Sequence, residues 1–116
     1  DTYGHLIGSR LLREVADIIL TCLRNVDIAV RYGGDEFVII LPSTPKGKAV
    51  LVAERIRDCM TNTVFLQCQG LKIRQTASFG VASFPKDANS ELDLIRQADK
   101  AMYQIKNSSR DGIEAA

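Results

Sequence analysis

The sequence predicts an α+β domain in which an antiparallel central sheet is flanked by helices. Three observations lead there. Apolar residues recur at helical spacing in three separate stretches, two stretches rich in β-branched and aromatic residues are each broken by glycine, and the two kinds alternate along the chain. Helix, hairpin, helix, hairpin, helix is the order of a sheet with helices packed on it.

The first helix is expected from about residue 6 to 24, where Leu11, Leu12, Val15, Ile18, Ile19 and Cys22 fall on one stripe between charged residues. "IAVRY" and "EFVIIL", separated by "GGD", predict a β-hairpin, because glycine supplies the positive φ of tight hairpin turns. "PKGKAVLVAERIRDCM" restores helical period to about residue 61, with Pro45 suited to a first turn. "TVFLQC", "QG" and "LKIRQTASFGVAS" predict a second hairpin, closed by the loop "FPKDAN". Ser90 with Asp93 forms a capping-box pattern ahead of Leu94, Ile95, Ala98, Ala101, Met102 and Ile105, a third helix to about residue 107.

Composition removes several function classes. A chain of 116 residues, 46% hydrophobic and 25% charged, supports one globular domain. A net charge of +1 exerts no general pull on nucleic acid polymers or acidic membranes, so any anion must be held locally. Three cysteines without paired short spacing and a single histidine, His5, argue against zinc sites and histidine-based triads and suit a reducing cytoplasm. The longest apolar run, Phe37 to Leu41, is far short of the ~20 residues of a membrane span. The chain opens on Asp1 with a helical pattern close behind, so residues 1–116 are expected to be an N-terminally truncated piece of a longer signalling protein.

The acid pair at the first hairpin's tip carries the chemistry. Side chains alternate along a strand, so only one of Asp35 and Glu36 can face a given side. Two glycines let a backbone approach a ligand closely, and a carboxylate beside them can hold Mg²⁺ bridged to substrate phosphates. A solvated turn is the alternative that the tetrapeptide alone leaves open.

Four blocks decide between these readings: "DTYGH" at 1–5, "RYGGDEF" at 31–37, "TASFGVA" at 76–82 and "ADKAMYQIK" at 98–106. Together they resemble the GGDEF-domain nucleotide cyclases over nearly the whole chain. The resemblance implies a fold like adenylyl cyclases and polymerase palms, and diguanylate cyclase activity. Two domains each present one GTP, each 3′-hydroxyl attacks the other's α-phosphate, and cyclic di-GMP and two pyrophosphates result. It implies Mg²⁺ or Mn²⁺ as cofactor, Asp35 as the metal-binding catalytic acid, and Glu36 as a supporting or hydroxyl-activating group. Gly33 and Gly34 match the glycines against which phosphate lies, and Lys106 and Arg110, spaced i, i+4, match a phosphate-binding cationic pair. Cations in a helix's last turn also meet its dipole favourably without any ligand. The resemblance further implies a homodimer for activity and an upstream sensory or receiver domain.

The sequence departs from the family in two places. The family's first central strand, with another metal-binding aspartate, a lysine-bearing turn and a guanine-reading asparagine, would precede "DTYGH"; without it the 116-residue fragment is expected to be inactive alone. Ser9, in "GHLIGS", stands where most members carry a guanine-binding aspartate, with Leu12 one turn later to pack on the base. A hydroxyl both donates and accepts, so it can also face adenine, as in the hybrid promiscuous subgroup that makes cyclic GMP-AMP from ATP and GTP. Ser9 also fits a degenerate site, and a catalytically inactive nucleotide-binding or dimerisation module is the competing class, though such a module has no need of Asp35. "RNVD" matches the family's RxxD inhibitory site, with Arg24 and Asp27 expected to bind cyclic dinucleotide product and Arg55 to act as the second-site arginine from a neighbouring domain. A helix-end salt bridge is the plainer alternative for Arg24 and Asp27.

Overall fold

The computed structural model describes residues 5–106 and 111–116. The elements are α1 (His5–Thr21), β1 (Ile28–Gly33), β2 (Glu36–Ile40), α2 (Lys46–Thr61), a short 3-10 turn (Gln67–Gln69), β3 (Ser78–Val81), α3 (Glu91–Lys106) and β4 (Gly112–Ala115). The expected α+β class is what they form. The described strands pair as two ladders, β1 with β2 antiparallel and β3 with β4 parallel. The chain packs as two units, one holding residues up to Pro42 together with Asp58–Gln75, the other Ser43–Arg57 and residues from Thr76 onward.

In the first unit, Val15 and Ile19 place one stripe of α1 inside, with Cys22 buried just past its end, and Met60, Phe65 and Leu66 are buried with them. The helix ends at Thr21, short of the expected residue 24. Cys22 and Leu23 there donate to the carbonyls of Ile19 and Leu20, three residues back, which tightens and closes the last turn. The expected second hairpin is reduced to one antiparallel bridge, Phe65 with Ile73. Leu66 is the reason: it takes a left-handed conformation at φ 64, and its amide donates to Glu14 Oε1 of α1 at 3.0 Å. An extended arm cannot pass through that residue, and the chain curls into the 3-10 turn ended by Gly70 at φ 76.

In the second unit, β3 lies directly beneath α3. A Cβ built on Gly80 would stand 1.9 Å from the carbonyl oxygen of Ala98 and 2.6 Å from the amide nitrogen of Met102, so only glycine admits this approach of helix backbone to strand. The parallel partner β4 was not expected from sequence; it pairs Ser78 with Gly112 through Val81 with Ala115. Ser90 caps α3 as predicted, its Oγ accepting the Asp93 amide at 3.1 Å while Asp93 Oδ2 accepts the amide of Asn89 at 3.4 Å. Lys46 pairs with Asp87 at 2.8 Å and Arg57 with Asp111 at 2.9 Å.

Candidate functional site

The glycine-acid motif is the tip of the β1–β2 hairpin. Ile28 pairs with Ile40, Ala29 with Ile39, Val30 with Val38 and Arg31 with Phe37; the register then shifts, and Gly33 meets Glu36 with Tyr32 left over. Gly34 and Asp35 form the two-residue turn. Gly34 has φ 48 while Asp35 does not enter the positive range, the sign pattern of a II′ turn with glycine at its first central position. No atom lies within 4 Å of a Cβ built on Gly33 or Gly34, so packing does not demand glycine at either place; backbone conformation demands it at Gly34. Asp35 is exposed in the turn itself, outside the strand, and Glu36, the first residue of β2, is half-buried behind it.

Between α1 and this hairpin runs a cleft of about 230 Å³. Ser9, Leu12, Arg13 and Ala16 line it from the helix, Ala29, Arg31 and Phe37 from the strands. Its volume is below the ~300–1,000 Å³ usual for drug-sized ligands, which leaves room for a single ring system between apolar walls with few polar groups. Ser9 and Leu12, separated from the motif by 20 residues or more of sequence, thus share one face with the strand that leads to its tip.

The GGDEF family, described as "Diguanylate cyclase, GGDEF domain", matches residues 1–112. The chain belongs to the GGDEF-domain family. It is 43% identical over 113 residues to diguanylate cyclase A of Treponema denticola and 37% identical over 114 residues to the response regulator PleD of Caulobacter vibrioides, covering 97% of this chain in both cases. The domain spans 30% and 25% of the length of those relatives. Among solved structures, the GGDEF domain of PA1120 (YfiN or TpbB) from Pseudomonas aeruginosa superposes with a TM-score of 0.92 at 32% identity, over all of this chain and 72% of that one. The GGDEF domain of DgcB from Caulobacter crescentus, in complex with c-di-GMP, gives 0.84 at 28% identity, over 99% of this chain and 68% of that one.

The remaining sequence-predicted residues of this GGDEF domain fall in different places. Arg24 and Asp27 meet each other: guanidinium and carboxylate are 2.8 Å apart, the Arg24 amide donates to the same carboxylate at 2.8 Å, and the Asp27 side chain is left 2% exposed. The hydrogen bond from Arg24 holds the Asp27 carboxyl below the usual carboxylate range and raises the guanidinium in turn. Arg24 also donates to the carbonyl of Pro42 at 3.0 Å, across the open end of the hairpin. Arg55 is exposed on α2, and Lys106 is the last residue of α3; both belong to the second unit. Arg110 and the segment "DTYG" lie outside the described residues. Among the described residues no three acidic, cysteine or histidine side chains cluster; Asp35 stands alone as an exposed carboxylate on the turn. An exposed carboxylate fits Mg²⁺ or Mn²⁺, since Mg²⁺ is commonly held by one or two carboxylates plus substrate phosphates. No helix among the described residues is long and apolar enough to cross a membrane.

Sequence reasoning missed Arg31, Arg13 and Phe37 as cleft residues. Phe37 and Arg31 were legible in principle, because they oppose each other across the hairpin on the face that also carries Ala29.

Proposed function

We infer that the protein carrying this domain makes cyclic di-GMP from two GTP, releasing two pyrophosphates. The observation that carries the reading is the joining, in one unit, of a cleft sized for one base to a glycine turn bearing an exposed carboxylate. Leu12 packs on the base and Ser9 hydrogen-bonds its edge. The turn at Gly33 and Gly34 admits the triphosphate, and Lys106 and Arg110 are phosphate-binding cations by family resemblance alone. Asp35 would hold Mg²⁺ or Mn²⁺, which would supply charge to polarise the phosphate and ease deprotonation of the attacking hydroxyl. Glu36 supports that deprotonation from behind the turn. Each domain holds one nucleotide, so two must face each other for the 3′-oxygen of one GTP to displace pyrophosphate from the α-phosphate of the other, twice. Homodimerisation, commanded by an upstream sensory or receiver domain in the cytoplasm, is then the switch. Product inhibition engages Arg24 and Asp27, with Arg55 supplied by a neighbouring domain. Because Arg24 and Asp27 already hold each other, product must open that pair or bind the exposed side of the guanidinium.

Ser9 favours a second reading, in which ATP is accepted beside GTP and cyclic GMP-AMP appears. Incubating the full-length protein with Mg²⁺ and equal ATP and GTP tests both. Cyclic di-GMP alone supports the first, mixed product supports the second, and Ser9→Asp should then restore guanine selectivity. No cyclic dinucleotide of either kind sinks both and leaves the binding-module class.

A further inference from the structure

Arg31 joins the two halves of this site. Its residue pairs with Phe37 in the hairpin and lines the cleft with Ser9 and Leu12. Its guanidinium reaches the other way along the strand: Nε and a terminal nitrogen donate to the carbonyl oxygen of Gly34 at 3.0 and 2.8 Å. Both bonds are charge-assisted, the stronger kind.

That carbonyl oxygen matters because of the peptide it belongs to. Gly34 and Asp35 are the two central residues of the turn, so the Gly34–Asp35 peptide is its central peptide. A peptide is planar and turns as one body. In a two-residue hairpin, turn types I′ and II′ keep a positive φ at the first central residue and differ by a flip of this central peptide, which reverses the sign of φ at the second. Gly34 tolerates either state and open space surrounds it, so packing does not select between them. Asp35 would take a positive φ in the flipped state, which disfavours that state only modestly for an aspartate, and the fork of Arg31 on the oxygen adds to that bias. It also acts on Asp35, whose φ changes with the flip and whose carboxylate is carried with it.

We propose that Arg31 is a positioning residue that holds the Gly34–Asp35 peptide in one of its two flip states and thereby aims the Asp35 carboxylate at the nucleotide in the cleft. The aiming role rests on the cyclic dinucleotide reading above; the peptide-holding role does not.

The test uses the full-length protein with Arg31→Ala and Arg31→Met, the latter keeping an unbranched apolar side chain while removing every donor, and Arg31→Lys as the conservative variant. NMR relaxation dispersion on ¹⁵N-labelled protein reads the Asp35 and Glu36 amides. They should report one state in the native protein and microsecond-to-millisecond exchange in the Ala and Met variants. With GTP and Mg²⁺, kcat should fall about 30-fold or more in Ala and Met and less in Lys, with KM for GTP within about threefold and base preference unchanged. Single-state tip amides in the Met variant overturn the proposal. So does a tenfold rise in KM at constant kcat, which is the signature of a side chain that grips nucleotide directly. If the native protein forms no cyclic dinucleotide, the functional reading fails, and the amide exchange still decides whether Arg31 holds the peptide.

Discussion

Gly80→Ala should be the most damaging single-methyl change in this domain. The added Cβ would lie 1.9 Å from the Ala98 oxygen, 2.6 Å from the Met102 nitrogen and 2.9 Å from the Ala98 carbon, all backbone atoms of α3. Restoring an ordinary contact of ~3.5 Å means moving helix or strand by roughly 1.5 Å, since no side chain is in the way to rotate aside. Overpacking costs about 1–3 kcal/mol when side chains can give, so a clash between two backbones belongs at ~3 kcal/mol or above. For a domain of this size that is a fall in Tm on the order of 10–15 °C. The control is Gly8→Ala in α1, where nothing lies within 4 Å of the added carbon; lower backbone entropy in the unfolded chain should leave it neutral or more stable by ~0.5–1 kcal/mol. Thermal unfolding by circular dichroism measures both. Equal Tm values for native and Gly80→Ala protein would refute the claim that α3 rests on β3 by backbone contact.

Three smaller effects are expected. Asp87 accepts from Lys46 and from the Ser83 amide, and these bonds hold its carboxyl below the usual range. A depressed folded-state value gives stability that is complete above the unfolded carboxylate value of about 4 and is lost as pH falls through the folded one, so Asp87→Asn should flatten that part of an acid-unfolding titration. Ser90→Ala removes the acceptor for the Asp93 amide and should cost ~1 kcal/mol in denaturant unfolding, with Ser90→Asp close to neutral. Of the three thiols, exposed Cys68 should react first with a thiol reagent under native conditions, ahead of half-buried Cys59 and buried Cys22; faster labelling of Cys22 would contradict the packing of α1.

The sequence made visible whatever is decided within a turn or two of chain. Helical spacing located α1, α2 and α3, the Ser90–Asp93 pair located the start of α3, and glycine located the turn at Gly34. What stayed hidden depends on distant partners. Leu66 bends left-handed while its amide is satisfied by Glu14, 52 residues earlier, and no local pattern announces that bond. β4 is four residues with one β-branched side chain, and it exists as a strand through its pairing with β3. For the site, Ser9 and Leu12 were named through family resemblance, and the structure places both in the cleft. Arg31 carries no such local signal, because its contact is with a main-chain oxygen three residues on, which no side-chain pattern announces.

The two arginine contacts on this hairpin, considered as a piece of mechanics, leave it little room to bend. Arg24 bolts the root by joining the chain before β1 to the carbonyl of Pro42 after β2, and Arg31 bolts the free end at Gly34. A beam fixed at both ends yields where its cross-links skip, and the ladder skips at one residue, Tyr32, between Arg31 and Gly33. Tyr32 is also 61% exposed, and the Arg31 bonds to Gly34 span that joint. One arginine therefore straps the hairpin at the single residue where its ladder is interrupted, one short of the glycines.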